Sequence, residues 1–547
     1  MRTPTLSVCI VLPEAPLAAW QAETVALAAR VAPVTSIVRL IGQPGPRGPA
    51  SVLSAAWAGL DRLLFKKKPD AFAPAPWPLP HIPAAQAHTL QRSRPCSPET
   101  AAKLLGEARI ILSLAGTAIP DALLAASPLG ALAFSFHDQA LGALPQAWRA
   151  FMTRTNGYSH ALVWKRRDLG ERLAVATLSP VSPLYYFDTA NQACHKAALF
   201  PARFLTRLLE SQEPEALWNA LERPDGETYP SPPGLTDVVR FIPRFAARHL
   251  AAAYKDIFYR RQWFLAARPV PQGPPVPPGR ADYSGFAPID PPATAGWADP
   301  FPFTRKGRDF VFFETIPMDT GRGAIAVCPI DPSGALGEAR TVLSREFHLS
   351  YPFVFEWEDE VFMMPESNAG RTLDVYKAVD FPYRWELFRN ILNGERVTDA
   401  TIHADEKAPG RFWLFANKSV PGASNWDELF LYSGSSPLGP WTPHPMNPVV
   451  SSAAFSRPAG RLFSVDGRLY RPAQDCVPSY GKRLRIMEVV ELAPDGYAER
   501  LAATLCPDLI PGSGKLHTLN AGRTLEFTDG FRLISRFTGK PGPFKDI

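Results

Sequence analysis

The chain has 547 residues, of which 46% are hydrophobic and 20% charged, with a formal net charge of +6. That length allows roughly two to four domains with ample core, and so mild and interspersed a charge excludes a nucleic-acid partner as the expectation. Six cysteines (Cys9, Cys96, Cys194, Cys328, Cys476 and Cys506) stand far apart without a Cys-x-x-Cys pair. This argues against a zinc centre and a disulfide framework, and for a reducing, cytoplasmic setting. The apolar run 6–12 is too short for a secretory segment, and no run reaches the roughly 18 apolar residues of a membrane span.

Residues 1 to about 215 alternate strand-like and helix-like pieces: a strand at 6–12, a helix at 17–30, a buried strand at 109–114, a short helix at 120–126 and a strand at 130–136. The alternation predicts a parallel α/β sheet. The stretch 43–98, with its prolines and Lys66-Lys67-Lys68, reads as an irregular surface insertion. Residues 235–268 read as one long amphipathic helix that starts at Thr236-Asp237, is kinked early by Pro243, and carries Val238, Phe241, Phe245, Leu250, Tyr254, Ile257 and Phe258 on its apolar stripe. Its cations Arg240, Arg244, Arg248, Lys255, Arg260 and Arg261 suit either a solvated brace between domains or peripheral contact with an anionic membrane. The proline-rich stretch 269–292 reads as a semi-rigid linker.

From Trp297-Ala298-Asp299-Pro300 onward the pattern changes to five hairpins, their starts roughly 50 to 60 residues apart, which predicts an all-β five-bladed propeller over 293–540. The last hairpin is read with its turn at Asp529-Gly530. Each innermost strand would aim its first residues at a central funnel, where Asp299, Glu366, Asp399 and Arg457 are candidates. Glycoside cleavage or transfer needs two carboxyl groups flanking the anomeric bond, one protonated and one ionised.

Ala298-Asp299-Pro300, followed by Gly307 and an aromatic strand, resembles the opening of five-bladed furanosidase-type glycoside hydrolases. The resemblance implies a general base in Asp299 and, in Asp399, the second Asp that tunes the acid. The Glu-Gly-Pro that supplies that family's acid is absent, so Glu366 in Met364-Pro365-Glu366-Ser367 is the expected substitute. Residues 348–367, 436–441 and 457–476 resemble the propeller region at the N-terminus of plant glucosamine inositolphosphorylceramide transferases, over about 285–540. The transferase activity of those proteins, which rests on a separate domain, is not implied here. Arg457, Gln474, Asp475 and His517 are the expected binders of glycan hydroxyls, phosphate or carboxylate.

Residues 112–145 resemble the core of the formyltransferase family, placing His137 on the family His and Asp168 on the Asp that orients it. Ser135 stands where that family has its catalytic Asn. Loss of such a donor costs roughly 2.7 to 4 kcal/mol of transition-state stabilisation, so this site is expected to be vestigial.

The chain is therefore read as multidomain: a formyltransferase-like, Rossmann-like α/β domain (1–215), a linker helix (235–268), a Pro-rich linker (269–292) and the propeller (293–540). The expected function is a carbohydrate-active enzyme working on a cell-envelope or lipid-linked glycan or a sugar nucleotide, without cofactor or metal. The alternatives are a non-catalytic glycan-binding or assembly protein, and a formyl or acyl transferase acting on a nucleotide sugar through His137 and Asp168.

Overall fold

The computed structural model describes residues 6–543 except 15, 43–48, 65–67, 77–86, 92–94, 116–118, 136–144, 212 and 225–234. The chain divides into two compact units, one of residues 1–246 with 420–424, the other of residues 247–419 with 425–547.

The first unit is an α/β sheet. Its strands are β1 (Val8–Leu12), β2 (Val34–Ile41), β3 (Ala87–Gln91), β4 (Ile110–Ser113), β5 (Ala131–Phe134), β6 (Tyr158–Arg166) and β7 (Gly170–Ser179), in the order β3-β2-β1-β4-β5-β6-β7. Strands β1 to β5 are parallel, β6 runs antiparallel to β5, and β7 antiparallel to β6. The short runs VCIVL, IILS and ALAF are buried along their whole length, as strands covered on both faces must be. The covering helices include α1 (Ala19–Val31), α2 (Pro49–Leu64), α3 (Pro98–Leu105), α4 (Asp121–Ala126), α5 (Pro145–Thr153), α6 (Tyr186–Ala197), α7 (Phe200–Ser211) and α8 (Pro214–Ala220). The presumed irregular insertion 43–98 thus contributes a helix and the edge strand β3. Flanking prolines hid an Ala- and Leu-rich run of good helix formers, and Lys66 and Lys67 lie outside the described residues.

Helix α9 (Leu235–Phe258) ends ten residues short of the expected boundary at 268, and β8 (Tyr259–Pro269) follows at once. Val238 and Phe241 are buried in the core of the first unit, where Phe241 packs edge-on against Trp57 and Trp148. Among the described residues no helix is long and apolar enough to cross a membrane.

The second unit contains five antiparallel sheets. After β9 (Ala287–Ile289), the first sheet is β10 (Ala295–Arg305), β11 (Arg308–Pro317), β12 (Ala324–Ile330) and β13 (Arg340–Leu343); the second is β14 (Ser350–Trp357), β15 (Glu360–Glu366), β16 (Thr372–Asp380) and β17 (Arg384–Asn393). The third comprises β18 (Val397–Ala404), β19 (Phe412–Lys418), β20 (Glu428–Gly434), β21 (Thr442–Pro443) and β22 (Val450–Ser451). The fourth has β23 (Arg457–Pro458), β24 (Phe463–Val465), β25 (Arg468–Asp475), β26 (Arg483–Leu492) and β27 (Tyr497–Leu505). The fifth joins β28 (Leu519–Ala521) and β29 (Leu525–Ser535) to β8 and β9.

The inner strands adjoin in sequence order, β10 to β14 to β18 to β23, and β28 and β29 return to β10. Leu519 N–H donates to the Ala459 carbonyl at 2.8 Å and links the fourth sheet to the fifth. This is a closed five-bladed propeller, and closure removes the unpaired edges that an open sheet would expose.

Its boundary is 259, not 293. Strand β8 pairs with β29 over eleven residues, from Tyr259↔Ser535 to Pro269↔Leu525, so the last blade is built from both ends of the propeller sequence. The proline-rich stretch supplies the edge strand β9, the position at which Pro288 deprives no neighbour of a ladder donor. The hairpin tips Lys306-Gly307, Glu358-Asp359 and Asp466-Gly467 have two successive positive φ values, as two-residue turns that match the strand twist require. Asp529-Gly530 is not such a turn. It lies inside β29, and the chain reverses at 522–524 instead.

Candidate active site on the propeller axis

The inner strands of the first three blades share one distortion. Register slips between Ala298 and Phe301, between Ser350 and Phe353, and between Thr398 and Thr401. The residues at the slips, Asp299, Tyr351 and Asp399, have φ of 51°, 47° and 50°. Side chains other than Gly's adopt this left-handed conformation at a cost, and such bulges re-aim a side chain while freeing its N–H from the ladder.

Here each freed N–H meets a carboxylate. Asp299 N donates to Asp529 Oδ2 at 3.0 Å, Tyr351 N to Asp299 Oδ2 at 3.2 Å, and Asp399 N to Glu366 Oε2 at 3.3 Å. Hydrogen bonds of this kind satisfy the freed donors and offset the local strain.

The accepting residues come largely from the second strand of each blade, close to its end. Glu314 faces Ala298, Glu366 faces Ser350, Asn417 faces Thr398 and Gln474 faces Arg457 across their ladders, and Asp529 holds the corresponding place in β29. A second tier of polar groups therefore backs the inner strands. The buried amide of Asn417 has no hydrogen-bond partner among the described residues.

Asp299 is 4% exposed. Its Oδ1 accepts from Thr518 Oγ1 at 2.6 Å and lies 3.8 Å from His517 Nδ1. Burial pushes its pKa up to about 7, opposed by His517 and assisted by the nearby Glu314, Asp399 and Asp529 carboxylates. Asp529 accepts the His517 and Thr518 N–H groups at 3.1 Å through Oδ1, and Oδ2 pairs with His517 Nδ1 at 2.6 Å.

Burial opposes protonation of His517, but Asp529 and then Asp299 outweigh it and raise its pKa to about 9. The imidazolium is sandwiched by Trp263, whose ring stacks on it at 4.0 Å, and edged by Tyr480 at 5.5 Å. One donor atom each of Asp299, His517 and Asp529 lies within 4.8 Å of the others, a spacing that could hold a cation. With His517 protonated, Nδ1 faces Asp529 at 2.6 Å and Asp299 at 3.8 Å, and that proton competes with a cation for the same lone pair.

A second cluster centres on Asp399. Its Oδ2 accepts from Arg457 Nε at 2.5 Å and Gln474 Nε2 at 2.9 Å. Arg457 also lies 3.6 Å from Glu366 and stacks over Tyr480 at 4.8 Å. Burial, with Asp399 beside it, holds the Glu366 pKa well above the usual carboxylate range, against the opposing pull of Arg457. The structure thus brings Asp299, Glu366, Asp399, Arg457, Gln474 and His517 to one axis. Burial raises the pKa of both Asp299 and Glu366 above the usual carboxylate range, so either carboxyl can hold a proton there.

Asp475 does not belong with them. Alternation along β25 turns it away from Gln474, and its Oδ2 is taken by Arg483 at 2.8 Å and Arg485 at 2.9 Å. It is a structural pin. Glu314 is likewise engaged, its Oε1 2.8 Å from His348 Nε2.

The expected second site fares differently. Ser135 closes β5 and accepts the Ala161 N–H at 3.1 Å, whereas Asp168 sits exposed in the β6–β7 turn beyond Lys165, which pairs with Ala131. About 13 Å of ladder separates the two ends, so Ser135 and Asp168 do not converge. His137 lies outside the described residues.

The fold and site thus define a five-bladed propeller with an ionisable axis. A family model described as glucosamine inositolphosphorylceramide transferase 1, N-terminal, matches residues 291–506. That span holds Asp299, Glu366, Asp399, Arg457 and Gln474, and leaves out Trp263, His517 and Asp529. The chain is 37% identical over 206 residues to glucosamine inositolphosphorylceramide transferase 1 of Oryza sativa subsp. japonica, and likewise to that of Arabidopsis thaliana. The matches cover 37% of this chain and 27% and 26% of those proteins, so it spans about a quarter of the length of the curated relatives it matches.

Similar solved structures include Zg3597, a family 117 glycoside hydrolase of Zobellia galactanivorans, at 14% identity and TM-score 0.32, covering 50% of this chain and 91% of that one. Another is the Cellvibrio cellulosa α-L-arabinanase complexed with arabinohexaose, at 14% identity and TM-score 0.32, covering 43% and 94%.

Proposed function

We propose that the propeller axis is the active site of a carbohydrate-active enzyme that breaks or transfers a glycosidic bond. The observation that carries this reading is the pair of buried carboxyls on neighbouring blades, Asp299 with its pKa raised to about 7 and Glu366 with its pKa raised well above the usual carboxylate range. In this reading Glu366 gives its proton to the leaving oxygen as the anomeric C–O bond breaks. Asp299 takes the proton of the attacking water or sugar hydroxyl as the new C–O bond forms.

Asp399, fixed by Arg457 and Gln474, keeps Glu366 neutral. Trp263, Tyr480 and Trp426, which lies 5.5 Å from Tyr480, offer ring faces for a sugar. The names of the plant relatives point to a glucosamine-bearing inositol phosphate head group as the substrate class. A glycan-binding role without turnover is favoured by one observation, the closed Asp399–Arg457 pair, which leaves little unsatisfied charge for catalysis.

The test is product analysis by mass spectrometry, with inositol-phosphate glycosides of glucosamine supplied with water or with an alcohol acceptor. The expected result is bond cleavage or transfer whose rate rises through about pH 7 as Asp299 ionises. Saturable binding with no product at any pH would establish the non-catalytic role instead.

A further inference from the structure

A second cleft opens between the third and fourth blades, away from the axis. Its walls are the end of β18 with the turn that follows it, and stretches of β24, β25 and β26. His403 lies four residues beyond Asp399 along β18, a run of about 13 Å, so the two places do not merge. The cavity measures about 200 Å³. Clefts for drug-sized ligands begin near roughly 300 Å³, so this one suits a single small ring.

Much of its polar wall is already fixed. Asp405 Oδ1 accepts the Lys407 and Ala408 N–H groups at 2.9 and 3.1 Å, and Oδ2 accepts Trp413 Nε1 at 3.0 Å. Arg500 donates to Glu488 Oε2 through Nε at 3.1 Å and Nη2 at 2.9 Å. Ser464 Oγ ties the fourth blade to the third by donating to Glu406 Oε1 at 2.9 Å. Three groups keep capacity to spare. The half-buried imidazole of His403, Glu406 Oε2 and Lys407 Nζ have no hydrogen-bond or ion-pair partner among the described residues. Burial holds the His403 pKa below its usual value, against the nearby Glu406 and Asp405 carboxylates. A neutral imidazole offers one donor and one acceptor, Glu406 a further acceptor and Lys407 further donors. Leu469, Val489 and Leu492 complete the lining with apolar surface.

The charges decide the class of ligand. Asp405, Glu406 and Glu488 are interleaved with Lys407, Arg468 and Arg500, so neither a phosphate nor an ammonium would meet a field of one sign. A pyranose has the opposite requirement: hydroxyls that each donate and accept, around a ring with an apolar C–H face.

We propose that this cleft between the third and fourth blades is a second sugar-binding site, which takes one neutral pyranose residue through His403, Glu406 and Lys407. It is independent of the chemistry assigned to the propeller axis.

The experiment is a titration of the full chain with glucose, followed through the imidazole proton resonances by NMR. The His403 resonance is the one missing from His403→Ala, and it is expected to shift saturably. Glu406→Ala and Lys407→Ala remove exposed side chains, so the melting temperature should hold. Each should weaken that saturation by about 2- to 12-fold, the range that loss of one hydrogen bond gives. Crystals soaked in glucose should carry one ring in the cleft, within hydrogen-bond reach of His403. A His403 resonance that glucose leaves in place, saturation that either variant leaves unchanged, binding at crystal concentration only, or a larger response to inorganic phosphate than to glucose would each overturn the proposal.

Discussion

Arg457→Met is expected to destabilise the propeller by about 3–5 kcal/mol, the usual consequence of removing one partner of a buried ion pair. Met retains most of the aliphatic stem, so packing under Tyr480 is largely kept and the change isolates the charge. What remains is Asp399, 2% exposed, with Gln474 as its one remaining side-chain donor and Glu366 close by. Chemical unfolding followed by tryptophan fluorescence reads the loss as a lower denaturant midpoint for the propeller transition. The double variant Arg457→Met/Asp399→Asn should recover part of it, because a neutral amide no longer needs the guanidinium. An unchanged midpoint for the single variant would mean that the pair contributes little, and that water or another group satisfies Asp399.

Asp299→Asn is expected to lower turnover by roughly 10²- to 10⁴-fold, the contribution typical of a positioned general base, while the glycan still binds. The fold should survive, since the amide fills the same volume and Thr518 Oγ1 can donate to or accept from it.

Stability should respond to pH with a definite sign. The folded Asp299 holds its proton up to about pH 7, whereas an unfolded Asp releases it near 3.8. Its contribution is therefore complete below pH 3.8 and falls as pH rises to about 7. His517 acts in the same direction over a higher window, contributing fully below 6.5 and losing that contribution as pH rises through about 9. Asn at 299 cannot ionise, so the variant should melt at the same temperature as the parent or higher at pH 8. Full activity in a stable Asp299→Asn protein would remove this residue from the mechanism. A large drop in melting temperature would make it a structural group.

The repeating hairpins made the propeller legible, because each blade states the same pattern of turn, aromatic strand and polar start. Asp299, Asp399 and Arg457 could be picked from the inner strands for that reason. Tyr351 could have been found in the same way, since Tyr351-Pro352-Phe353 occupies in the second blade the place of Asp299-Pro300-Phe301 in the first. The polar residue near the end of each second strand, seen in Glu314, Glu366, Asn417, Gln474 and Asp529, was an available signal of which only Glu366 and Gln474 were used.

Strand β8 was hidden by its neighbour. The helical spacing of Leu250, Tyr254, Ile257 and Phe258 runs into Arg260 and Arg261 without a break, and Phe264, Leu265 and Ala266 are buried in succession, so β8 shows no clean two-residue period. Its place is fixed by pairing with β29, more than 250 residues away in sequence. Asp529-Gly530 carries a turn signal that the same pairing overrides, which concealed the partner of His517. Asp475 shows the opposite failure: two-residue alternation along a strand already separates it from Gln474.

The most direct test of the central claim is to determine where the sugar sits, using the slow Asp299→Asn protein crystallised with an inositol-phosphate glycoside of glucosamine. The account predicts sugar density on the propeller axis, with the glycosidic oxygen within hydrogen-bond reach of Glu366 and the attacking side of the anomeric carbon facing residue 299. Density confined to the N-terminal α/β unit, or an axis that stays empty of sugar while the protein is saturated with ligand, would contradict it.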